Sequence, residues 1–597
     1  MNDPSSTSPN MDFASEKAEL SIGEPGHFSI PPAPPNVDAK KENSVNTAMA
    51  QEEHDPDTVD GSSNDASKFE PGYRFYLAFS SLAVLAMMVS LDGTSVSVAL
   101  PIMARDLHGT AIEAFWTGTS FLLSSAIFQP PIAALSHIFG RMPALTFCVT
   151  CFLIGIIISG LAQDFTVMLV GRTIQGVGGG GVILLNDIII TDLVPMRLRG
   201  AYFGAIGGVW ALGSMSGPVI GGALAYKATW RWLFWINIPF SAIGLVMVPA
   251  FMKLNLVPGS TAQKLKRVDW LGNAIFIAAT TSLLIPMTWG GVQYPWSSWH
   301  TLVPLLIGVA GIVGFVIYEK CVAAEPTIRL SLLGSYNMAY SLFAALINAL
   351  IVYGALYFLP LYFEAVRGYN PILSGVALFP ATFIVAPVSI ISGMIITKTG
   401  DFRGVTWLGW IATTLGCGVM ILLDVETTNL QWVFLCLCTG IGLGFLYTSL
   451  ALVNQAASDD SNMAFAISLF IFFRAMGQCL GVAICGVIFQ NQMETRLLTI
   501  PSLASQAGEY SKDASSTVLT IKSLPDSDSK RLLVQAYADS LKIVWAVMCA
   551  LSGVGMLGSI FIRKGILDRA LNSEQALKQR SPRSGQDLEN TNMKNHR

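Results

Sequence analysis

The feature that most constrains the fold is a series of apolar segments, each about twenty residues long, separated by short polar turns. Such a segment is long enough to cross a bilayer hydrocarbon core of about 30 Å. The composition agrees, because 52% of the residues are hydrophobic and only 13% are charged. Backbone polar groups in lipid must be satisfied within the segment or in a closed barrel, and segments of this length fit helices. We therefore predict an all-α, polytopic membrane protein.

The pattern predicts 14 transmembrane helices, which we number as spans 1 to 14. Their predicted ranges are 75–99, 114–135, 144–161, 167–190, 201–225, 232–252, 270–290, 301–318, 340–363, 373–397, 405–423, 431–453, 465–490 and 541–562.

Three polar segments lie outside these spans. The first 70 residues hold 14 acidic residues against 4 lysines and few apolar clusters, a composition typical of disorder, so residues 1–72 are predicted to be a disordered acidic tail. Residues 491–540 are predicted to form a long loop, and residues 564–597 a second tail.

The basic residues of the short loops predict the orientation, because cytoplasmic loops carry more Lys and Arg. With the N-terminus inside, the inner loops hold eleven and the outer loops four. Both termini are therefore predicted to be cytoplasmic and the 491–540 loop extracellular, in the cell membrane or alternatively the vacuolar membrane. The inner residues are Arg141, Arg197, Arg199, Lys253, Lys264, Lys266, Arg267, Lys320, Arg329, Lys398 and Arg403, and the outer ones are Arg105, Lys227, Arg231 and Arg367.

Sequence landmarks recur at a nearly constant offset, which indicates an internal repeat. "LPIMARDLHG" (100–109) matches "LPLYFEAVRG" (359–368), and "GVGGG" (176–180) matches "GIGLG" (440–444). Gly213 and Gly217 have counterparts 264 residues later in Gly477 and Gly481. The offsets pair spans 1–6 with spans 9–14 and leave spans 7 and 8 as a link.

Three membrane domains follow from this repeat: residues 73–252, a linker at 253–330, and residues 331–563. Two six-helix repeats around a central cavity are typical of secondary transporters.

Four motifs resemble those of the major facilitator superfamily, and more narrowly its fourteen-span drug:proton antiporter branch in fungal efflux pumps. They are "LDGTSVSVALP" (91–101), "RTIQGVGGGG" (172–181), "GSMSGPVIGG" (213–222) and "WRWLFWINIP" (230–239). The resemblance covers about residues 75–565. It implies alternating access driven by protons, with a small-molecule substrate and no cofactor.

The third motif places glycines where a helix is needed. Gly213, Gly217 and Gly221 are four residues apart, so they form a stripe of small residues that lets another helix approach closely. Pro218 removes a backbone hydrogen bond and bends the helix. The resemblance assigns this stripe, with Gly222, to the antiporter motif, which helps prevent leak during the conformational change. The alternative is that the stripe only packs helices.

Two charges are predicted within the membrane near the outer end of the first repeat. Asp92 lies in span 1, and an ionised carboxylate there must face a cavity or a partner. Arg172 lies at a similar depth in span 4, with Gln175 about one turn deeper, so a charge pair is expected. The resemblance implies that these residues handle protons. The alternative is a structural ion pair that joins spans 1 and 4.

Two further charges lie in apolar sequence. Asp187, near the inner end of span 4, is a second candidate for proton relay, with an interfacial or capping role as the alternative. Arg474 lies in span 13 and could hold a conformation or contact an anionic group.

The loop "ALSHIFGRMP" resembles the cytoplasmic gating motif of the family, but it has His137 in place of the usual aspartate and Ile138 in place of a basic residue. Gly140 and Arg141 remain, and they predict a tight turn and a charge near helix ends.

Several functions find no support in the sequence. "GVGGGG" lacks the Gly-Lys-Ser/Thr that follows in a phosphate-binding loop, and neither a metal site nor a catalytic constellation is visible, so we do not expect an enzyme. We expect a monomeric, proton-coupled exporter of small amphipathic organic compounds that contacts membrane lipid and no nucleic acid. The alternatives are a proton-coupled siderophore or amino-acid transporter and a non-transporting membrane sensor.

Overall fold

The described residues of this computed structural model are almost entirely helical. They are 71–252, 254, 258–290, 293–323, 325–511, 514–565 and 567. Within these ranges the structure contains no strand, and β pairing is limited to isolated bridges at Leu254 and between Gly290 and Tyr294, so the all-α prediction is confirmed. Lys253 and nearly all of the two predicted tails lie outside the described residues.

Seven helices follow the N-terminal tail and form the first half of the membrane region. They are α1 (Tyr73–Asp106), α2 (Ala111–Phe139), α3 (Arg141–Leu161), α4 (Phe165–Leu193), α5 (Met196–Lys227), α6 (Trp232–Trp235) and α7 (Asn237–Phe251).

Three helices form the linker. A short α8 (Thr261–Arg267) precedes two long helices that pack against each other, α9 (Trp270–Trp289) and α10 (Trp299–Cys321). A 3₁₀ turn, Leu330–Gly334, leads into the second half.

The second half contains the remaining ten helices. They are α11 (Tyr336–Ala365), α12 (Pro371–Ala377), α13 (Phe379–Thr382), α14 (Val385–Thr399), α15 (Arg403–Met420), α16 (Asn429–Ala456), α17 (Met463–Leu498), α18 (Ala507–Tyr510), α19 (Ala514–Ser523) and α20 (Asp528–Ser559).

Thirteen helical segments of the described chain are long and apolar enough to cross a membrane. The predicted count of 14 is therefore not confirmed. The segment that differs is predicted span 11, which corresponds to α15. An arginine, two tryptophans and three threonines lower the mean hydropathy of this helix below that of its neighbours.

Two predicted spans are interrupted rather than continuous. Span 6 is divided into α6 and α7 at Ile236, and span 10 into α12, α13 and α14. Pro239 and Pro387 each lie three residues after such a break. Since proline has no N–H, the carbonyl four residues before it receives no helical hydrogen bond, and the helix is weakest there.

Helical structure also continues beyond two other predicted spans. α17 extends to Leu498 and α20 begins at Asp528, so the predicted 491–540 loop is reduced to residues 499–527 with two short helices. Met493 and Leu497 on α17 and Leu533 and Tyr537 on α20 are fully buried. Each extension buries only one face of its helix. The mean hydropathy of a segment does not detect such a one-sided apolar pattern.

Equivalent contacts in the two halves agree with the repeat. A Cβ atom at Gly213 or Gly217 would contact the carbonyl oxygens of Met87 or Leu91 on α1. A Cβ atom at the counterpart Gly477 or Gly481 would contact the carbonyl oxygen of Leu346 or Leu350 on α11. These two leucines lie 259 residues after Met87 and Leu91. The glycine that permits close approach is thus repeated together with its partner.

The two halves meet along two helix pairs. α5 packs against α14, and α2 packs against α17. We use "inner end" for the side of the bundle where α1 begins, and α2, α4, α10 and α16 end.

Candidate functional site

Asp92 and Arg172 form a buried ion pair near the outer end of the first half. Arg172 Nη1 lies 2.7 Å from Asp92 Oδ2, and the two side chains are 1% and 0% exposed. Arg172 reaches α1 from the second turn of α4, so the expected charge pair exists. The pair lies inside one half of the molecule and is closed to solvent.

Neighbouring polar groups satisfy the remaining hydrogen-bonding capacity of Asp92. Gln175 Nε2 donates to Asp92 Oδ1 at 2.8 Å, and Asn237 Nδ2 approaches the same oxygen at 3.4 Å. Arg172 Nη1 also donates to Gln175 Oε1 at 2.8 Å. Gln175 therefore joins both members of the pair, while Asn237, which the sequence reasoning did not identify, brings α7 into the network.

Arg172 has further partners on α2. Its Nε donates to the Thr117 carbonyl oxygen at 3.1 Å, and its guanidinium lies 4.4 Å from the centre of the Phe121 ring. A buried charge is tolerated when it is paired and hydrogen-bonded. The network therefore connects four helices of the first half: α1, α2, α4 and α7.

Among the described residues of the second half, the equivalent positions carry no such network. The positions equivalent to Asp92, Arg172 and Gln175 are Ile351, Cys436 and Thr439, and all three are buried. The repeat has kept the helix packing and lost the charges, so the polar network is a property of one half alone.

Asp187 and Arg474 belong to a second, more open group of polar residues. Asp187 lies about 22 Å along α4 from Arg172, and its charge interacts with that of Arg474 on α17. The Arg474 guanidinium is 5.6 Å from the ring centre of Tyr447 on α16. The group thus contains charges from both halves.

Two more tyrosines complete this group, which we call the central cluster. Tyr353 and Tyr357 lie on α11, where the charges of Arg474 and Arg172 respectively act on them. All five side chains of the cluster keep partial exposure, and they come from both halves, on α4, α11, α16 and α17. One carboxylate, one guanidinium and three phenols can hold a polar and aromatic molecule there.

The antiporter-motif glycines contact α1 of their own half. A Cβ at Gly217 would lie 3.1 Å from the Leu91 carbonyl oxygen and would collide with the Thr94 hydroxyl, and Gly213 and Gly221 meet α1 in the same way. α5 remains one helix through Pro218, and Gly222 is buried beside this face. The glycine stripe therefore fixes α5 to α1.

A second glycine face on α5 lies between the halves, and the sequence reasoning missed it. A Cβ at Gly200 would lie 3.0 Å from the Gly393 carbonyl oxygen of α14, and one at Gly204 would lie 2.9 Å from Ile390 Cα. Gly200, Gly204 and Gly208 are four residues apart, so the spacing that identified the first stripe was present here also.

The loop after α2 forms the expected tight turn. Gly140 has φ 104°, a conformation that side chains other than glycine rarely adopt. Arg141 Nε donates to Asp192 Oδ2 at 3.1 Å, and its Nη1 donates to Ser136 Oγ at 2.8 Å. Arg141 thus joins the start of α3 to the inner end of α4, and Asp192 has a structural partner.

Comparison with known proteins gives a consistent family. Residues 82–482 match the family model of the Major Facilitator Superfamily. The fungal "MFS transporter L2" of Phoma sp. is 49% identical over 525 residues, which are 88% of each chain. "Efflux pump FUS6" of Gibberella moniliformis is 35% identical, covering 90% of this chain and 96% of that one.

A solved structure shares the fold. The proton:xylose symporter XylE, bound to 6-bromo-6-deoxy-D-glucose, aligns with a TM-score of 0.53 and 13% sequence identity. The alignment covers 83% of this chain and 97% of that one.

Proposed function

Because the chain belongs to the major facilitator superfamily, we propose that it is a proton-coupled secondary transporter that exports small amphipathic organic compounds, such as a drug, a toxin or a secondary metabolite. The similarity to a fungal efflux pump over nine-tenths of the chain supports export. The substrate-bound symporter with the same fold supports ion-coupled transport of a small molecule.

The observation that carries this proposal is the separation of two charged sites. The central cluster takes its side chains from both halves and keeps partial exposure, which suits a binding site for cargo. The Asp92–Arg172 pair lies within one half, where its protonation can change the packing of that half. A transporter needs both a site for cargo and a site for the driving ion.

Proton coupling is assigned to Asp92. A proton on its carboxyl removes the charge that holds Arg172 and Gln175, so the contact between α1 and α4 weakens. The glycine stripe fixes α5 to α1, and the second glycine face fixes α5 to the second half. A change at Asp92 therefore reaches the interface between the halves through α1 and α5. Asp187 is the second proton candidate, since it is the carboxylate of the central cluster and the charge of Arg474 acts on it.

The topology of the transporter is part of the proposal. Residues 73–252 and 331–563 rock as two bundles, with the linker at 253–330 between them. Both termini face the cytoplasm, the chain is a monomer in the cell membrane, and alternating access requires no cofactor.

Transport by inverted membrane vesicles tests the direction. Vesicles from a pump-deficient yeast host that expresses the full chain are loaded with an acidic buffer, and uptake of rhodamine 6G and fluorescein is followed. We expect at least one dye to accumulate when the lumen is acidic, and the accumulation to disappear when nigericin collapses the gradient. Accumulation that requires a gradient of the opposite sign would show uptake and contradict export. Vesicles from the empty host are the control.

A further inference from the structure

The segment that enters the second half, residues 325–334, is held at its beginning and at its middle, and we call it the strap. At its beginning, Glu325 forms a two-pronged ion pair with Arg267 at the end of α8, with distances of 2.6 and 3.1 Å. Two residues later the Thr327 amide donates to Glu319 Oε1 at 3.1 Å, and its hydroxyl donates to Asn273 Oδ1 at 3.3 Å. The strap is therefore anchored to α9 and α10.

The contacts of Thr327 with Glu319 and Asn273 are shielded from solvent, while the Glu325–Arg267 pair is exposed. Thr327 is 2% exposed and Glu319 is 5% exposed. A hydrogen bond between buried polar groups is costly to break, because each group then lacks a partner. The beginning of the strap therefore moves together with α9 and α10.

The middle of the strap reaches the place where the halves meet at the inner end. Arg329 Nη1 donates to Asn462 Oδ1 at 2.5 Å, immediately before α17. The same guanidinium lies 4.4 Å from the ring centre of Phe465 on α17. The His137 ring of α2 also meets Phe465 edge-on, with centroids 5.4 Å apart. His137 belongs to the first half and Phe465 to the second.

One aromatic ring is thus held between the two halves and the linker. His137, Phe465 and Arg329 form what we call the inner gate. A cation over an aromatic face is an attractive contact, and the bond to Asn462 fixes the direction of Arg329. His137 occupies the place of the acidic residue in the gating motif that this loop resembles, so ring contacts close the interface where a charge is usual.

We propose that Arg329 is a positioning residue that holds the inner gate shut, and that the strap links this gate to α9 and α10. This inference rests on the proposed function, because a gate has meaning only in a transporter. It also gives the two linking helices a role: they set the position of Arg329, so a movement of α9 and α10 opens or closes the inner end.

Hydrogen–deuterium exchange on the full chain in lipid nanodiscs tests the inference without any substrate. In Arg329→Ala we expect backbone exchange at the inner ends of α2 and α17, around residues 134–140 and 459–468, to rise several-fold. Exchange at the outer ends of the same helices should stay at the wild-type level. Arg329→Lys keeps a cation over Phe465 and should retain most of the protection.

A matched control removes an inner-end arginine that does not join the halves. Arg403 lies 5.9 Å from the Trp407 ring, a neighbour on its own helix, so Arg403→Ala should leave the inner ends of α2 and α17 protected. Wild-type protection in Arg329→Ala would overturn the proposal. An equal rise at both ends would also overturn it, since that pattern indicates general destabilisation.

The dye experiment separates this inference from the proposed function. Because Arg329→Ala loses the closed gate, inverted vesicles that contain this variant should accumulate less dye than wild-type vesicles. Dye accumulation should recover in vesicles that contain Arg329→Lys. If the wild-type chain moves no dye, the proposed function fails, and the exchange pattern still decides whether Arg329 holds the inner end closed.

Discussion

At the residue scale, Asp92 and Arg172 are two opposite charges that water cannot reach. Removing one member of such a pair leaves the other uncompensated and typically costs about 3–5 kcal/mol. Replacing both by neutral side chains of similar shape removes that penalty. A double variant that stays folded therefore allows the role of the pair in proton coupling to be tested apart from its role in stability.

We therefore expect Asp92→Asn and Arg172→Gln each to lower the melting temperature of the purified protein, and the double variant to recover most of the loss. The double variant should nevertheless lose the dependence of dye accumulation on the proton gradient. Thermal unfolding in detergent and vesicle uptake measure the two effects. A recovered double variant with wild-type proton dependence would make the pair structural only.

The sequence was sufficient to pair Asp92 with Arg172, because both lie at a similar depth and an isolated charge in lipid is unfavourable. It did not identify Asn237 or Thr117. Asn237 lies in the apolar run "LFWINIPF", but its side chain is uncharged, so its position in the membrane did not mark it as a partner of Asp92. Thr117 acts through its backbone carbonyl, which no residue type reveals.

At the scale of elements, the two glycine faces of α5 have different partners. Gly213, Gly217 and Gly221 face α1 in the same half, while Gly200 and Gly204 face α14 in the other half. The four-residue spacing predicts close helix packing for both sets. Spacing alone does not specify the partner helix, which depends on how the helices are arranged around the bundle.

We expect Gly217→Ala to destabilise the protein by about 1–3 kcal/mol, since the added methyl group has no room against Thr94. Gly314 on α10 is the matched control, because no atom lies within 4 Å of its Cβ position. Gly314→Ala should be neutral or slightly stabilising, given the better helix propensity of alanine. Similar melting temperatures for the two variants would contradict the packing argument.

At the scale of the whole molecule, the order of the helices and the repeat could be read from apolar segments and recurrent landmarks. The number of spans, the breaks in spans 6 and 10 and the helical extensions near 491–540 could not. The number of spans depends on local polarity, the breaks depend on a proline, and the extensions depend on one buried helix face. These local features disappear when hydropathy is averaged over a window of about twenty residues.

The contact between α5 and α14 offers a test of rocking. A Cβ at Gly208 would lie 3.8 Å from Ala386 Cβ, close to the separation of about 3.8 Å in disulfides. We expect Gly208→Cys/Ala386→Cys to form an oxidised cross-link, detected by peptide mass mapping, that stops dye accumulation until dithiothreitol is added. Each single variant should accumulate dye under oxidising conditions. Normal accumulation by the cross-linked protein would mean that this interface does not move.

The absence of the polar network from the second half has a consequence for energetics. With Ile351, Cys436 and Thr439 in place of Asp92, Arg172 and Gln175, the duplicated framework offers a single carboxyl group, and so one proposed proton, at this depth. If that proton alone drives the cycle, a neutral cargo responds to membrane voltage as well as to the pH difference. A monovalent cationic cargo leaves as one positive charge enters, so its export is electrically silent and follows the pH difference only.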